Sequence, residues 1–294
     1  MAGNGVVEKI KEKALEVKKP LTIQALVEQS ARELGKALPS HMRPERIVRI
    51  ALTTLRMNPK LYQCNPQSFL AALFQCAQLG LEPTILGEAW IIPYNSKDGP
   101  VAQFQVGYQG FVKLFWNHQN SVSIQAEVVR RNDQFESDLG ENKIHHVPPA
   151  FDRERGEVIG YYAVAHLSNG GRQVKVMSKT EILVHAKKFT KCYDAQKGEF
   201  MKGTPWSEHF DEMAKKTVLK QLLKLLPKST EIQHALAMDE TVKTRVEANM
   251  VEVPNEAEYT TEATAEINGQ ETRAIAAPEA APAELTKENL FPNK

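Results

Sequence analysis

A row of lysines lies along one face of a helix predicted in the second half of the chain. Lys216, Lys220 and Lys224 stand at i, i+4 and i+8 on a helix predicted from about Ser207 to Leu226. Like charges at that spacing oppose one another by roughly 0.2–0.5 kcal/mol per pair, so an anion lying along the row would relieve it. The alternative is a solvated face with Glu212 as a partial counter-charge. The helix alone leaves both interpretations open.

Basic and aromatic side chains interleave before this helix. The set comprises Lys187, Lys188, Phe189, Lys191, Tyr193, Lys197, Phe200, Lys202 and Trp206. Lysines neutralise phosphates, and aromatic faces stack on bases of any sequence. Lysine lacks the planar fork that reads base edges, so the pattern predicts nucleic-acid binding led by the backbone.

A second group lies upstream, where Tyr108, Phe111, Phe115 and Trp116 surround Lys113 and where Arg130 ends a predicted strand. The helical spacing of Phe111, Phe115 and Trp116 favours a place in the core. For Tyr108 and Trp206, which lie at element ends, core and ligand-binding roles remain equally open.

Acidic residues and histidines cluster at Asp133, Glu136, Asp138, Glu141, His145 and His146. A metal-dependent nuclease needs such acids converging on a rigid core. Here they fall in a stretch containing Gly140 that is predicted to be a loop, so this Asp133–His146 cluster is the alternative rather than the preferred interpretation. No phosphate-binding GxxxxGK[ST] or GxGxxG loop occurs, which argues against an ATP-driven motor.

Charge is unevenly distributed along the 294 residues, although the net charge is only +1. Residues 247–294 hold ten acidic and three basic side chains, or −7, and residues 1–246 hold 26 acidic and 34 basic ones, or +8. This distribution predicts a polyanion-binding body with a separate solvated, acidic tail.

Three scattered cysteines support neither a disulfide framework nor a zinc knuckle. A charged start and the lack of a long apolar run predict a cytoplasmic protein without membrane segments.

The element order predicts an α+β fold with an antiparallel sheet and packed helices. Helices are predicted at 22–38, 44–57, 67–79, 109–118, 178–189 and 207–226. Thr22 is predicted to cap the first of them, Asn65 and Gly80 to delimit the third, and Ser178 with Glu181 to form a capping box at the fifth. Hairpins are predicted from Ala89–Tyr94 with Val101–Tyr108 and from Val158–Leu167 with Arg172–Val176, and a further strand at Val122–Arg131. Thr190–Thr204 is predicted to be a loop, and the chain after Asp239 to be disordered.

Four segments in one order resemble the RecT family of phage single-strand annealing proteins. They are QCAQLGLEP (75–83), VGYQGFVKL (106–114), VVRRND (128–133) and PW followed by DEMAKKT and LPKSTEIQHALAMDE (205–240). The resemblance implies a protein that binds single-stranded DNA and pairs it with a complementary strand without ATP or a chemical step. It also implies a core distantly similar to Rad52-type annealing proteins, and rings or helical filaments of subunits.

The resemblance implies a basic groove that crosses successive subunits. The matching candidates are Lys113, Arg130, Lys187, Lys188, Lys191, Lys215, Lys216, Lys220 and Lys224. Trp206, Gln103, Gln105 and Tyr108 are candidates for contacting bases. Implied partners are single-stranded and annealed duplex DNA, a phage 5′→3′ exonuclease and the host single-strand-binding protein. No cofactor is expected, with Mg²⁺ at most modulating DNA binding.

Three regions are expected: helical residues 1–60 at subunit contacts, an annealing core at 61–240, and a disordered, partner-binding tail at 241–294. Besides the nuclease, a sequence-specific regulator with a helix in the major groove remains as an alternative. That alternative predicts one preferred duplex and a compact dimer, whereas an annealing protein predicts weak sequence preference and large oligomers.

Overall fold

The computed structural model describes residues 22–190, 192–226 and 229–256. Three helices begin the described chain. They are α1 (Ile23–Gln29), α2 (Ala31–Ala37) and α3 (Pro44–Met57). Thr22 caps α1 as predicted, since its Oγ1 accepts a hydrogen bond from Ala25 N. The single helix predicted over 22–38 is wrong, because the backbone of Ser30 turns to ψ 0° and divides it.

A buried helix, α4 (Pro66–Leu79), forms the centre of the molecule after a 3-10 helix at Pro59–Gln63. Asn65 caps its start, and Gly80 ends it in the left-handed conformation at φ 64°, both as the sequence predicts. Even its polar Ser68 and Gln75 are buried. Both form hydrogen bonds to residues outside the helix: Ser68 Oγ accepts from Ala102 N, and Gln75 Nε2 donates to Thr241 Oγ1.

The first predicted hairpin is confirmed as β1 (Ala89–Ser96) and β2 (Gly99–Val106), in antiparallel register. Helix α5 (Tyr108–Trp116) follows, so Tyr108 starts a helix rather than ending a strand. The backbone of α5 lies directly on the chain that precedes β1. A Cβ added at Gly110 would come within 2.0 Å of Glu88 O, so this approach requires glycine.

The main sheet contains β3 (Ser121–Arg130), β6 (Val158–Leu167) and β7 (Arg172–Ser178), antiparallel in the order β3-β6-β7. Between β3 and β6 the chain forms a second hairpin, β4 (Gln134–Asp138) with β5 (Lys143–Val147). The prediction of a loop for the acidic cluster was therefore wrong. Phe135 and Ile144 supply this hairpin with apolar contacts to a small cluster around Val129, Tyr162 and Val174.

Four further helices and a short hairpin complete the order. They are α6 (Lys179–Phe189), β8 (Tyr193–Asp194), β9 (Glu199–Phe200), α7 (Pro205–Glu208), α8 (Phe210–Leu223) and α9 (Thr230–Met238). The capping box of Ser178 and Glu181 is confirmed. The predicted helix 207–226 is interrupted at His209, whose backbone leaves helical geometry. Helix α8 packs across β3, β6 and β7, and Tyr161 on β6 donates to Asp211 at its start.

The segment after α9 differs from the expected disorder. Residues 241–256 pack on the body, with Val242, Met250 and Val253 buried. Thr241 bridges to Phe104 on β2, and the buried Lys243 ammonium donates to Met250 O. These apolar side chains offset the ordering entropy that the polar composition alone would not. The rest of the predicted tail, 257–294, lies outside the described residues.

The fold class is confirmed as α+β with antiparallel sheets and several helices. Buried residues of α1–α3, such as Leu34 and Ile47, belong to the same core cluster as Phe69 and Tyr161 of the later elements. Among the described helices, none is long and apolar enough to cross a membrane. The distant likeness to Rad52-type proteins stays a prediction.

Candidate nucleic-acid interface

The three lysines of the predicted row have different surroundings on α8. Lys216 is buried with 7% of its surface exposed, Lys220 is paired with acidic groups, and Lys224 at the C-terminus of α8 is exposed. The row is not one solvated face, because α8 packs on the sheet on one side and on α5 on another. Within the described residues, Lys216 has no hydrogen-bond or ion-pair partner.

Lys220 is held by the residues that follow α9. Its ammonium contacts the Asp239 carboxylate, and Glu240 lies 3.9 Å away. Asp239 Oδ1 also accepts from Val106 N at 2.9 Å, so this carboxylate joins α8 to β2. Burial acts to lower the pKa of Lys220, but the charges of Asp239 and Glu240 outweigh it and raise the pKa. Lys220 is therefore charged and already neutralised within the chain.

Two other predicted lysines have internal partners as well. Lys113 Nζ lies 2.8 Å from Glu88 Oε2 and donates to Gly80 O, which ties α5 to the end of α4. Lys215 pairs at 2.7 Å with Glu212, the acid that the sequence suggested as a counter-charge for Lys216. A phosphate would have to compete with these carboxylates for either ammonium.

The predicted base-contacting side chains are structural in this conformation. Gln103 is buried and donates to Glu240 O, while Gln105 reaches the Glu240 carboxylate at 3.3 Å. Trp206 is buried and stacks on Phe200, with ring centroids 5.6 Å apart and an interplanar angle of 15°. Tyr108 is half-buried, and burial raises the pKa of its phenol. Of these four, Trp206 lies in the core, so stacking on a base would require it to move.

A basic patch forms where α6 and α8 both end. Gln221 Nε2 on α8 lies 3.2 Å from His185 Nε2 on α6, and this contact fixes the two helix ends together. Four exposed side chains lie at these two helix ends: Lys187, Lys188 and Phe189 from α6, and Lys224 from α8. We call these four residues the α6–α8 patch. Burial lowers the pKa of His185, and the charges of Lys224, Lys220 and Lys188 lower it further.

Aromatic rings accompany the lysines in the α6–α8 patch. Phe189 is 60% exposed, and its ring centroid lies 4.7 Å from that of His185. Lys187 Nζ lies 4.9 Å from the centroid of the Tyr193 ring. Lys188 Nζ lies 5.3 Å from the centroid of the Phe189 ring. The arrangement combines exposed ammonium groups with an exposed aromatic ring, which are the two elements of sequence-independent binding to single strands.

The helix ends influence what the α6–α8 patch attracts. Helix C-termini carry partial negative charge, so they favour lysines and disfavour phosphates. Lys187 and Lys188 lie in the last turn of α6, and Lys224 is the C-cap of α8. Anion binding here therefore depends on side-chain ammonium groups, not on backbone amides.

Arg130 lies at the other end of α8. Its Nη1 donates to Gly156 O, and its charge acts on Tyr161, whose hydroxyl donates to Asp211 in the first turn of α8. From Asp211 to Gln221 a helix rises about 15 Å, so Arg130 does not join the α6–α8 patch. Lys191 lies outside the described residues. The structure thus groups Lys187, Lys188 and Lys224 at the ends of α6 and α8, with Lys220 behind them. Glu240 links Lys220 to Gln103 and Gln105.

The acidic cluster proposed for the nuclease is divided in the structure. The Asp133 side chain has 0% exposure and accepts from Arg155 Nε at 2.9 Å and Nη2 at 2.7 Å. His146 Nε2 lies 3.0 Å from the same carboxylate. The Arg155 bonds, with further hydrogen bonds from Arg130 N and His146, outweigh burial and hold the pKa of Asp133 well below its usual value. Among the described residues, no group of three or more His, Cys, Asp or Glu could hold a metal ion.

Sequence reasoning missed His185, Asp239 and Glu240. His185 stands four residues before Phe189 on α6. Because residues at that spacing are neighbours on a helix face, the sequence could have indicated contact between the two rings. Asp239 lies 19 residues from Lys220, and only the tertiary fold brings them together.

An α+β core that carries a cationic surface with exposed aromatic rings is typical of proteins that bind polyanions. Comparison with known sequences is more specific. The sequence model of the RecT family matches residues 45–254, and the chain belongs to the RecT family. It is 40% identical over 214 residues to Protein RecT of Escherichia coli strain K12, covering 71% of this chain and 76% of that protein. It is 32% identical over 191 residues to the uncharacterized protein YqaK of Bacillus subtilis strain 168, covering 64% of this chain and 61% of that protein. Family membership supports a role in phage-type DNA recombination and strand annealing.

Proposed function

We propose that this protein binds single-stranded DNA and anneals complementary strands without ATP, working as an oligomeric ring or filament. The observation that carries the proposal is the match of residues 45–254 to the RecT family, supported by 40% identity to the Escherichia coli protein. The α6–α8 patch supplies the cationic and aromatic surface that such an activity needs.

Annealing requires no catalytic group, because base pairing supplies the free energy. The protein must reduce repulsion between two phosphate backbones and raise the local concentration of the strands. Lys187, Lys188 and Lys224 would perform the first task through phosphate contacts. Repetition of the patch along an oligomer would perform the second.

Base access is the other requirement. Phe189 would hold one face of a base by stacking, which leaves the base-pairing edge free for the incoming strand. Lys220 lies beneath the patch. Because Asp239 already neutralises its charge, it would hold α8 against the rest of the fold rather than contact DNA itself. Lys113, paired with Glu88, and Lys215, paired with Glu212, would likewise stabilise the fold rather than contact DNA.

Partners remain part of the proposal. A 5′→3′ exonuclease would supply single strands, and a host single-strand-binding protein would coat them before annealing. The tail 257–294 carries seven acidic and three basic side chains, a net charge of −4, and is the candidate segment for protein contacts. Mg²⁺ would act by screening phosphates and not as a cofactor.

The test is annealing of two complementary oligonucleotides, one fluorescent and one carrying a quencher, with Mg²⁺ and without ATP. A denaturing gel run on the same samples reports strand length. The proposal expects faster quenching with intact strands. An unchanged rate would contradict annealing, and shortened strands would instead favour the nuclease.

A further inference from the structure

An apolar groove with a cationic rim lies between α2 and α3. Its volume is about 710 Å³. Its floor is apolar, from Ala31, Gly35, Pro44, Val48 and Leu52, and its rim carries Arg32, Lys36, Glu45, Arg49 and Arg56. The two helices approach so closely here that a Cβ added at Gly35 would come within 2.7 Å of Pro44 Cγ.

The cations on the rim have few counter-charges. Lys36 pairs with Glu33 at 2.8 Å, but Arg32, Arg49 and Arg56 have no ion-pair partner within the described part of the chain. The side of α3 that faces away from the groove is already engaged, since Arg46 pairs with Glu82 and Thr54 donates to Pro83 O. None of the described residues fills the groove, whose apolar floor and cationic rim fit a segment that is both apolar and acidic.

The sequence contains one such segment outside the described residues. Within 257–294, three of the six large apolar side chains fall in ten residues, ELTKENLFPN (284–293): Leu285, Leu290 and Phe291. The tail that carries them has a net charge of −4. The other segment outside the described residues at a terminus, 1–21, holds five basic and three acidic side chains, so its charge matches the rim poorly.

The path of the chain also favours this segment. Gln78 at the end of α4 donates to Ala248 O at 2.7 Å and accepts from Met250 N at 3.1 Å. Two residues further, Gly80 lies against Pro39 in the connection between α2 and α3. Residues 248–250 therefore pass beside the connection between the two helices that form the groove, and the described chain ends six residues after Met250, at Glu256, whose N–H donates to Val242 O. From Glu256 to Leu290 there are 34 residues, and a coil of that length spans roughly 30 Å.

We infer that the segment Glu284–Asn293 docks into the α2–α3 groove of its own chain, with Leu290 and Phe291 on the apolar floor and Glu284 and Glu288 beside the arginines. The contact goes beyond the annealing function and does not depend on it. While the segment is docked, it covers the apolar surface of the N-terminal helices against other copies of the chain.

The test uses the full-length protein with Phe291 replaced by the photo-crosslinking residue p-benzoylphenylalanine. Light and isotopically heavy chains are mixed, irradiated and digested, and crosslinked peptides are mapped by mass spectrometry. We expect crosslinks to residues 31–56, formed within light chains or within heavy chains. Crosslinks that join light to heavy chains would place the segment on a second copy and overturn the inference, as would crosslinks elsewhere or none.

Two substitutions with matched controls test the groove itself. Leu52→Asp should lower the crosslink yield about tenfold, since it removes an apolar contact from the floor. Its control, Val184→Asp, changes an apolar side chain that is 62% exposed on α6 and should leave the yield unchanged.

The double variant Arg49→Glu with Arg56→Glu should lower the crosslink yield while it leaves the apolar floor unchanged. Its charge-matched control, Lys143→Glu with Lys179→Glu, should leave the crosslink yield unchanged. Equal yields in groove and control variants would overturn the inference. Annealing measured on the same proteins reports separately on the proposed function.

Discussion

Lys220 on α8 and Asp239 after α9 form an ion pair whose carboxylate is fully buried, and the same carboxylate accepts a hydrogen bond from Val106 N on β2. One side chain thus joins three parts of the fold directly behind the α6–α8 patch. The lysine that the sequence places at the centre of a DNA-binding row is, in the structure, paired with a buried carboxylate.

This arrangement predicts different effects on stability for two lysines one helical turn apart. Lys220→Gln leaves Asp239 buried without its counter-charge and should lower the free energy of unfolding by about 1–3 kcal/mol. Lys224→Gln changes an exposed side chain and should stay within about 0.5 kcal/mol of the parent. Urea unfolding measures both, and equal stabilities of the two variants would contradict the ion-pair assignment.

Phe189 should contribute to single-strand affinity without contributing charge. Phe189→Ala removes the exposed ring of the α6–α8 patch and should weaken binding by about 1–3 kcal/mol, with the salt dependence unchanged. Phe151 is fully exposed in a turn, so Phe151→Ala is the control. Fluorescence anisotropy with a labelled oligonucleotide gives the affinities, and equal losses for the two variants would argue against stacking at Phe189.

His185 should report DNA binding through its pKa. Burial and three lysines lower the pKa of His185 in the free protein. Phosphates placed beside those lysines would cancel part of their charge, so the pKa should rise when single-stranded DNA binds. By linkage, affinity should increase as pH falls through the range where His185 takes up a proton.

The measurement is an NMR titration of the histidine resonances with and without oligonucleotide. His166, whose pKa burial and Arg172 also lower, lies on β6 away from the patch and serves as the internal control. A His185 pKa that DNA leaves unchanged, or that moves in parallel with that of His166, would show that DNA lies elsewhere.

The end of the ordered body can be located by truncation. Ending the chain after Val246 removes Met250 and Val253, which are 0% and 3% exposed. Since each buried apolar side chain contributes about 1.5–3 kcal/mol, this truncation should destabilise the protein markedly. Ending it after Glu256 should leave thermal unfolding and annealing of naked strands largely intact. Identical unfolding temperatures for the two truncations would show that 247–256 adds nothing to the core.

Local signals predicted most elements correctly. Asn65 and Gly80 delimit α4, Ser178 and Glu181 start α6, and alternation in Ala102–Val106 marks β2, because capping and strand periodicity depend only on neighbouring residues. The hairpin at 134–147 was missed because its polar residues resemble a loop and its apolar contacts are with distant strands.

The candidate site was predictable in composition but not in arrangement. The basic and aromatic pattern pointed to Lys187, Lys188 and Lys224, which the structure groups. It could not separate them from Lys216 and Trp206, which tertiary packing buries. Nor could it show that Asp239 neutralises Lys220, since that pair depends on where α9 places the chain.

The most direct test of the α6–α8 patch compares two charge-matched variants. Lys188→Glu with Lys224→Glu alters the patch, while Lys143→Glu with Lys179→Glu makes the same change in net charge away from it. Single-strand affinity is measured from low to high salt, alongside annealing rate. The patch variant should bind more weakly, anneal more slowly and lose about 0.7 in salt slope per phosphate contact removed, while the control behaves like the parent. Equal losses in both variants, or none in either, would contradict DNA binding at the patch.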